Sequence, residues 1–255
     1  MKHRARKRFG QHFLTSPETI EQIVSAIAPR EGEVIVEIGP GQAAITEPLS
    51  YLASTLHAIE FDRDLVTVLR KRFAGRENVT IHEGDALSFD FASLGNDLRI
   101  VGNLPYNIST PLLFHLLEFR DQITDAHFML QKEVVDRMCA EPGNKSFGRL
   151  TVMLGCEMEA IPLFDVPPEA FSPPPKVTSS VVRMRPLPRD RFDVHDRQAL
   201  GEIVKLAFSK RRKTLRNALQ GLAEVSDIEA VGLDPTVRPE QVSIKDWVAL
   251  ANHLD

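Results

Sequence analysis

The 255-residue sequence predicts an α/β domain on a mostly parallel sheet over residues 1–188, followed by a small all-α domain over 189–255. Three observations carry this. Short β-branched runs alternate with amphipathic stretches of helical length through the first 180 residues, the pattern of strand–helix–strand crossovers. No strand signal remains beyond Pro188. The segment PPEAFSPPPKV (167–177) holds five prolines in eleven residues, which reads as a stiff extended loop before the last strand.

Each element has a local cause. Ser16-Pro17 opens a helix with a capping hydroxyl and a first-turn proline, and Ile20, Ile23, Val24 and Ile27 fall on one face. EVIVEIG (33–39) is a strand that ends in glycine. AITEPLSYLA reads as a helix, with Pro48 in its first turn or bending it. Strands follow at TLHAIEFD (55–62), NVTIHEGDA (78–86), LRIVGN (98–103), AHFMLQ (126–131), EAIPLFDV (159–166) and SSVVRMRPL (179–187). Helices fall at DLVTVLRKRFA, PLLFHLLEF, KEVVDRMCA and RLTVMLGCEME, and four more in the tail at LGEIVKLAF, KTLRNALQGLA, VSDIEAVGL and SIKDWVALANHL.

Composition narrows the class. With 43% hydrophobic and 26% charged residues the chain reads as an ordinary globular protein. No apolar run approaches the roughly 18 residues of a membrane span. The basic start leads into no apolar signal core, and Cys139 and Cys156 lie in no metal-like or redox-like spacing. A reduced, cytoplasmic setting without a metal centre or membrane contact is therefore expected, with the chain acting as a monomer. Net charge is −4, but ten of the 31 basic residues fall in two clusters, Lys2/Arg4/Arg6/Lys7/Arg8 and Lys210/Arg211/Arg212/Lys213/Arg216. Positive charge gathered on an acidic body is one way to build a polyanion-binding face; two solvated charge runs are the plainer alternative.

Ligands of open parallel sheets bind at the carboxyl ends of the strands. The first strand ends in EIGPGQAA (37–44), where Gly39 and Gly41 permit a tight turn and a close ligand approach. The second ends in Glu60, 21 residues after Gly39, where an acid would hold a ribose diol. The third ends in Gly84-Asp85-Ala86, which offers a carboxylate oxygen to an exocyclic amine, and the fourth in Asn103-Leu104-Pro105-Tyr106. Turn chemistry accounts for each piece alone; all four in register at successive strand ends point to a ligand site. The loop is neither the G-x-G-x-x-G fingerprint, since position 44 is alanine, nor a phosphate loop, since no G-K-[ST] follows. A nucleoside cofactor without a pyrophosphate fits, and S-adenosylmethionine is the common one.

EIGPG, Glu60, GDA and NLPY together resemble the class I S-adenosylmethionine-dependent methyltransferases, and NLPY resembles the N/D-P-P-Y/F signature of those that act on amino groups. More narrowly, RKRFGQHFL (6–14), GNLPYNIST (102–110), FMLQKEV (128–134), FSPPPKV (171–177) and SKRRKTLRNAL (209–219) resemble the ribosomal RNA adenine N6,N6-dimethyltransferase family over nearly the whole chain. The resemblance implies a Rossmann-like fold with a seven-stranded sheet and an S-adenosylmethionine cofactor. It also implies dimethylation of two adjacent adenosines in a hairpin loop near the 3' end of 16S rRNA, within the small ribosomal subunit or its precursor, and a role in subunit biogenesis. Residues matching the family's cofactor site are His12, Leu14, Gly39, Glu60, Asp85 and Asn103, to which the strand-end reading adds Gly41 and Ala86. Many members carry Asn at the position of His12 and Gly at that of Ala43.

On this reading Asn103 and the Leu104 carbonyl accept the two hydrogens of the adenine amine. That favours the pyramidal, nucleophilic nitrogen of the transition state. Pro105 fixes the loop, Tyr106 gives the base a face to stack on, and Phe171 resembles a second stacking aromatic, with a core plug as the other reading of a Phe among prolines. Arg6, Lys7, Arg8, Lys210, Arg211, Lys213 and Arg216 would contact RNA phosphates, while Leu215, Ala218, Leu219 and Leu222 face the core of the tail. Two alternatives stand beside this reading: a large-subunit adenine methyltransferase of the macrolide-resistance type, and an assembly factor whose methylation is secondary.

Overall fold

The computed structural model describes residues 12–255. In chain order the elements are β1 (Phe13–Leu14), α1 (Pro17–Ile27), β2 (Val34–Ile38), α2 (Thr46–Leu52), β3 (Thr55–Glu60), α3 (Arg63–Arg72), β4 (Val79–Glu83), β5 (Leu98–Asn103), α4 (Ser109–Leu117), β6 (Ile123–Gln131), α5 (Lys132–Met138), α6 (Arg149–Gly155), β7 (Met158–Val166), β8 (Phe171–Ser172) and β9 (Ser179–Pro186). The tail adds α7 (Arg197–Ser209), α8 (Leu215–Ala218), α9 (Val225–Ala230) and α10 (Ile244–Leu254).

Seven strands form one sheet in the order β4-β3-β2-β5-β6-β9-β7. The pairs β2·β3, β3·β4, β2·β5 and β5·β6 are parallel, and β9 runs antiparallel to β6. Ile35, Val36, Leu56, Ala58, Leu98 and Ile100 are fully buried, as expected of strands covered on both faces. From β2 the chain winds outward to β3 and β4, then crosses to β5 and β6 on the other side. The strand order therefore reverses between β2 and β5, and a ligand crevice opens at the C-terminal ends there.

Local chemistry sets the helix starts. The Ser16 hydroxyl accepts from Thr19 N at 3.2 Å with Pro17 in the first turn of α1, and Asp62 caps α3 through Asp64 N at 3.0 Å. At the opposite end of the sheet, Arg99 in β5 is buried among acceptors. It forks onto Asp125 of β6 with two 2.9 Å bonds, reaches Glu33 at 2.6 Å, and donates to the Ile27 and Ala28 carbonyls that end α1.

The chain divides into two units. Among the described residues the first comprises 12–135 and 161–186; the second comprises 136–160 and 187–255. Residues 136–160 thus differ from the sequence expectation, which keeps them with the sheet. Phe147, Val152 and Cys156 are buried in the helical core with Leu200, Val204, Leu215, Leu219 and Trp247, a long-range burial that local pattern does not encode. In the same unit Leu222 is 43% exposed, so it does not join Leu215, Ala218 and Leu219 in that core. The regular helix there ends at Ala218, and Gly221 takes φ 88° shortly after.

Candidate active site

A cavity of about 250 Å³ lies at the C-terminal ends of β2, β3, β4 and β5. Its floor is the glycine loop. Gly39 (φ 70°) donates to the Ile59 carbonyl at 2.9 Å, and Gly41 (φ 56°) packs under Phe13, whose ring would lie 3.2 Å from any added Cβ. Ala43 also lies in the left-handed region, φ 68°. The position therefore favours the glycine that many family members carry, and alanine sits there under strain.

Glu60 is fastened from both sides. Its Oε2 accepts from Gly41 N at 3.1 Å and its Oε1 from Asp62 N at 2.8 Å, so one carboxylate ties the glycine loop to the start of α3. Burial raises its pKa, and bonds from the Asp62, Gly41 and Phe61 amides hold it back. Two oxygens have lone pairs to spare after these bonds, as a clamp on a diol requires. Glu37, in β2, lies beneath the loop and is 2% exposed. Burial pushes its carboxyl up to about 7; the Thr46 hydroxyl opposes this and the charge of Glu60 adds to it. Its Oε2 makes no hydrogen bond among the described residues. At the end of β4, Asp85 caps its own turn by accepting from Leu87 N at 3.0 Å, and Ala86 is buried against the cavity.

The β5 end is the tightest part. A Cβ on Gly102 would lie 2.6 Å from the Ile38 carbonyl, so only glycine lets β5 run this close to β2. Asn103 donates through Nδ2 to the His12 carbonyl at 3.2 Å, which fixes the face the amide turns to its surroundings. Leu104 N donates to the Met129 carbonyl at 3.1 Å, and the loop closes through Ile108 N to the Pro105 carbonyl and Ser109 Oγ to the Tyr106 carbonyl. Among the described residues nothing donates to Asn103 Oδ1 or to the Leu104 carbonyl. The Tyr106 ring stacks against His12 at 5.8 Å and 28°, and its hydroxyl bonds Ser179 Oγ at 2.8 Å. His12 Nδ1 lies 2.8 Å from the Pro173 carbonyl.

The cavity gathers His12, Leu14, Gly39, Gly41, Glu60, Asp85, Ala86, Asn103, Leu104, Pro105 and Tyr106. Phe171 does not line it. That residue is 4% exposed, pairs with Leu14 in the β1·β8 ribbon, and packs with Ile45, Met129 and Val181; of the two sequence readings, the core plug describes its position. Glu37 and Phe61 also line the cavity and were not expected. The signals were present: Glu37 is an acid inside an apolar strand, and Phe61, 59% exposed, directly follows Glu60. In the helical unit, Lys210, Arg211 and Lys213 share a surface concavity with Arg212 and Asn217. Arg211 also reaches Glu240 at 3.6 Å, and Arg216 is exposed on α8. Arg6, Lys7 and Arg8 lie outside the described residues.

A parallel sheet with a glycine-floored, acid-clamped cavity at its reversal point and a strand-end N-L-P-Y defines a class I methyltransferase. Residues 2–255 match the ribosomal RNA adenine dimethylase family, and the chain belongs to it. The ribosomal RNA small subunit methyltransferase A of Dechloromonas aromatica is 55% identical over 252 residues, covering 99% of this chain and 98% of that protein. A crystal structure of a dimethyladenosine transferase from Plasmodium falciparum superposes with a TM-score of 0.82 at 26% identity, covering 94% of this chain and 96% of that one. The 23S rRNA methyltransferase ErmE gives 0.75 at 24% identity, covering 95% and 99%, a likeness of fold.

Proposed function

We propose that the protein transfers methyl groups from S-adenosylmethionine to N6 of adenosines in small-subunit ribosomal RNA, giving N6,N6-dimethyladenosine. The observation that carries this reading is the pair of unspent acceptors, Asn103 Oδ1 and the Leu104 carbonyl, in one cavity with the Glu60 clamp. The target is two adjacent adenosines of a hairpin loop near the 3' end of 16S rRNA, and names of relatives at 55% identity favour the small subunit over the large.

The residues fit the cofactor by their own chemistry. The glycine floor admits a close approach, Glu60 meets the ribose diol, and Asp85 accepts from the adenine amine. S-adenosylmethionine, when bound, supplies an electrophilic methyl group on a sulfonium. The protein's work is then to present the nitrogen. A paired base cannot reach the cavity, so the adenosine enters unstacked. Tyr106 stacks its ring, and Asn103 and Leu104 accept the amine hydrogens, which localises the lone pair. In the second transfer one amine hydrogen remains, so one acceptor suffices. Lys210, Arg211, Lys213 and Arg216 hold RNA phosphates together with Arg6, Lys7 and Arg8, and this contact weakens as salt rises. Both cysteines are free, and no described helix is long and apolar enough to cross a membrane; action in the cytoplasm, as a monomer, belongs to the same proposal.

The test is incubation of small subunits lacking the modification with methyl-labelled S-adenosylmethionine, followed by nucleoside analysis. N6,N6-dimethyladenosine is the expected product. Normal dimethylation by Asn103→Ala or Glu60→Ala would overturn the site assignment; loss in both with particle binding retained would separate catalysis from an assembly role.

A further inference from the structure

We propose that Ser179 is a positioning residue for base recognition: its buried hydroxyl holds the Tyr106 phenol and thereby keeps the ring against which the target adenine packs from swinging within its own plane. This rests on the reading of the NLPY pocket given above. Ser179 is fully buried, and its Oγ lies 2.8 Å from Tyr106 Oη across 73 residues of sequence.

The topology explains how the two meet. Because β9 runs antiparallel to β6, its first residue lies at the edge of the sheet where β5 and β6 end: Ser179 pairs with Gln131, and Asn103 pairs with Met129. A parallel strand in that place would begin at the far edge and bring only its last residue here.

Stacking uses the face of an aromatic ring and makes no demand on its hydroxyl. The Tyr106 main chain is already held by Ser109, so the phenol bond adds control of the side-chain torsions alone. On the other flank His12 stacks at 5.8 Å and cannot fix rotation of the ring in its own plane. The serine supplies that restraint. Burial raises the Tyr106 phenol pKa and the Ser179 bond draws it back down, so the bond has its own signature in the titration of the phenol.

A double-mutant cycle tests this. Ser179→Ala and Tyr106→Phe each remove one end of the bond while keeping the ring. Each is expected to lower single-turnover methyl transfer to small subunits about 5–10-fold, with S-adenosylmethionine affinity by calorimetry unchanged. The double variant should match either single one, because the serine acts only through the phenol. The chain has two tyrosines and Tyr51 is 65% exposed, so ultraviolet titration resolves them: Ser179→Ala should raise the Tyr106 transition and leave that of Tyr51 in place. Wild-type rates in Tyr106→Phe or Ser179→Ala, or effects that multiply in the double variant, overturn the proposal. Asn103→Ala run in parallel separates the two failures. If it abolishes transfer while the cycle is flat, the serine inference alone falls; if it leaves transfer normal, the pocket reading falls with it.

Discussion

At the N-terminal end of β5 the Arg99 guanidinium spends all five of its N–H groups on Asp125, Glu33 and the Ile27 and Ala28 carbonyls. Four residues on, at the C-terminal end of the same strand, Asn103 Oδ1 and the Leu104 carbonyl accept nothing from the described residues, and Glu37 keeps a buried oxygen without a partner. Arg99 and Glu37 are both buried, whereas Asn103 is half-buried at the cavity wall, where solvent can meet its free oxygen until a ligand takes that place. A buried polar group left unsatisfied costs free energy unless something satisfies it in use. The saturated end holds strands and helix together, and the unsaturated end holds capacity for a ligand.

This contrast breaks first at Arg99. Arg99→Met leaves the Asp125 carboxylate buried with only the His127 ring, 3.8 Å away, beside it, and is expected to cost about 3–5 kcal/mol of stability, with the transfer rate per folded molecule unchanged. Urea unfolding and single-turnover kinetics read the two separately; a rate that falls while stability holds would reverse the roles of the two ends. Asn103→Ala should do the opposite, lowering transfer about 10²–10³-fold by analogy with removal of one preorganised hydrogen-bonding group, and costing about 1 kcal/mol or less in stability for its single bond to His12.

Glu37 sharpens the comparison through pH. Its carboxyl titrates near pH 7 in the folded protein, against an unfolded value near 4.5. Between these values the unfolded chain has lost the proton while the folded one keeps it, so stability falls as pH rises through this window and levels off above it. Glu37→Gln removes the penalty: its advantage over the parent should be near zero at pH 4.5 and about 3 kcal/mol at pH 8. Parallel stability profiles for the two proteins would show that the carboxyl is not held protonated. The smallest effect falls on the strained turn. Ala43→Gly relieves a left-handed alanine worth about 1 kcal/mol but forfeits a buried methyl worth about 0.8 kcal/mol and loosens the unfolded chain. Net stability should stay within about 1 kcal/mol of the parent, by the same urea titration.

Much of the cavity wall was legible because strand ends announce themselves. A β-branched run that stops at glycine, an acid or Asn-Leu-Pro-Tyr places those residues at one edge whatever the strand order. Phe171 was ambiguous for the opposite reason: nothing near it in sequence says that Leu14 pairs with it. The Arg99 network joins residues as far apart as Ile27 and Asp125, and residues 136–160 join a core whose other members begin near residue 200. Local periodicity is silent on all three.

What the sequence determined by itself is the kind and order of the longer elements and the chemistry at each strand end, since these follow from side-chain spacing over a few residues; the short β1·β8 ribbon it did not announce. Tertiary structure alone decided that β9 turns antiparallel and delivers Ser179 to Tyr106, which carboxylates are buried, and which amide oxygen is left with its acceptor capacity unspent. Those are outcomes of contacts between distant segments, and a hydrogen bond across 73 residues leaves no mark on the pattern of either one.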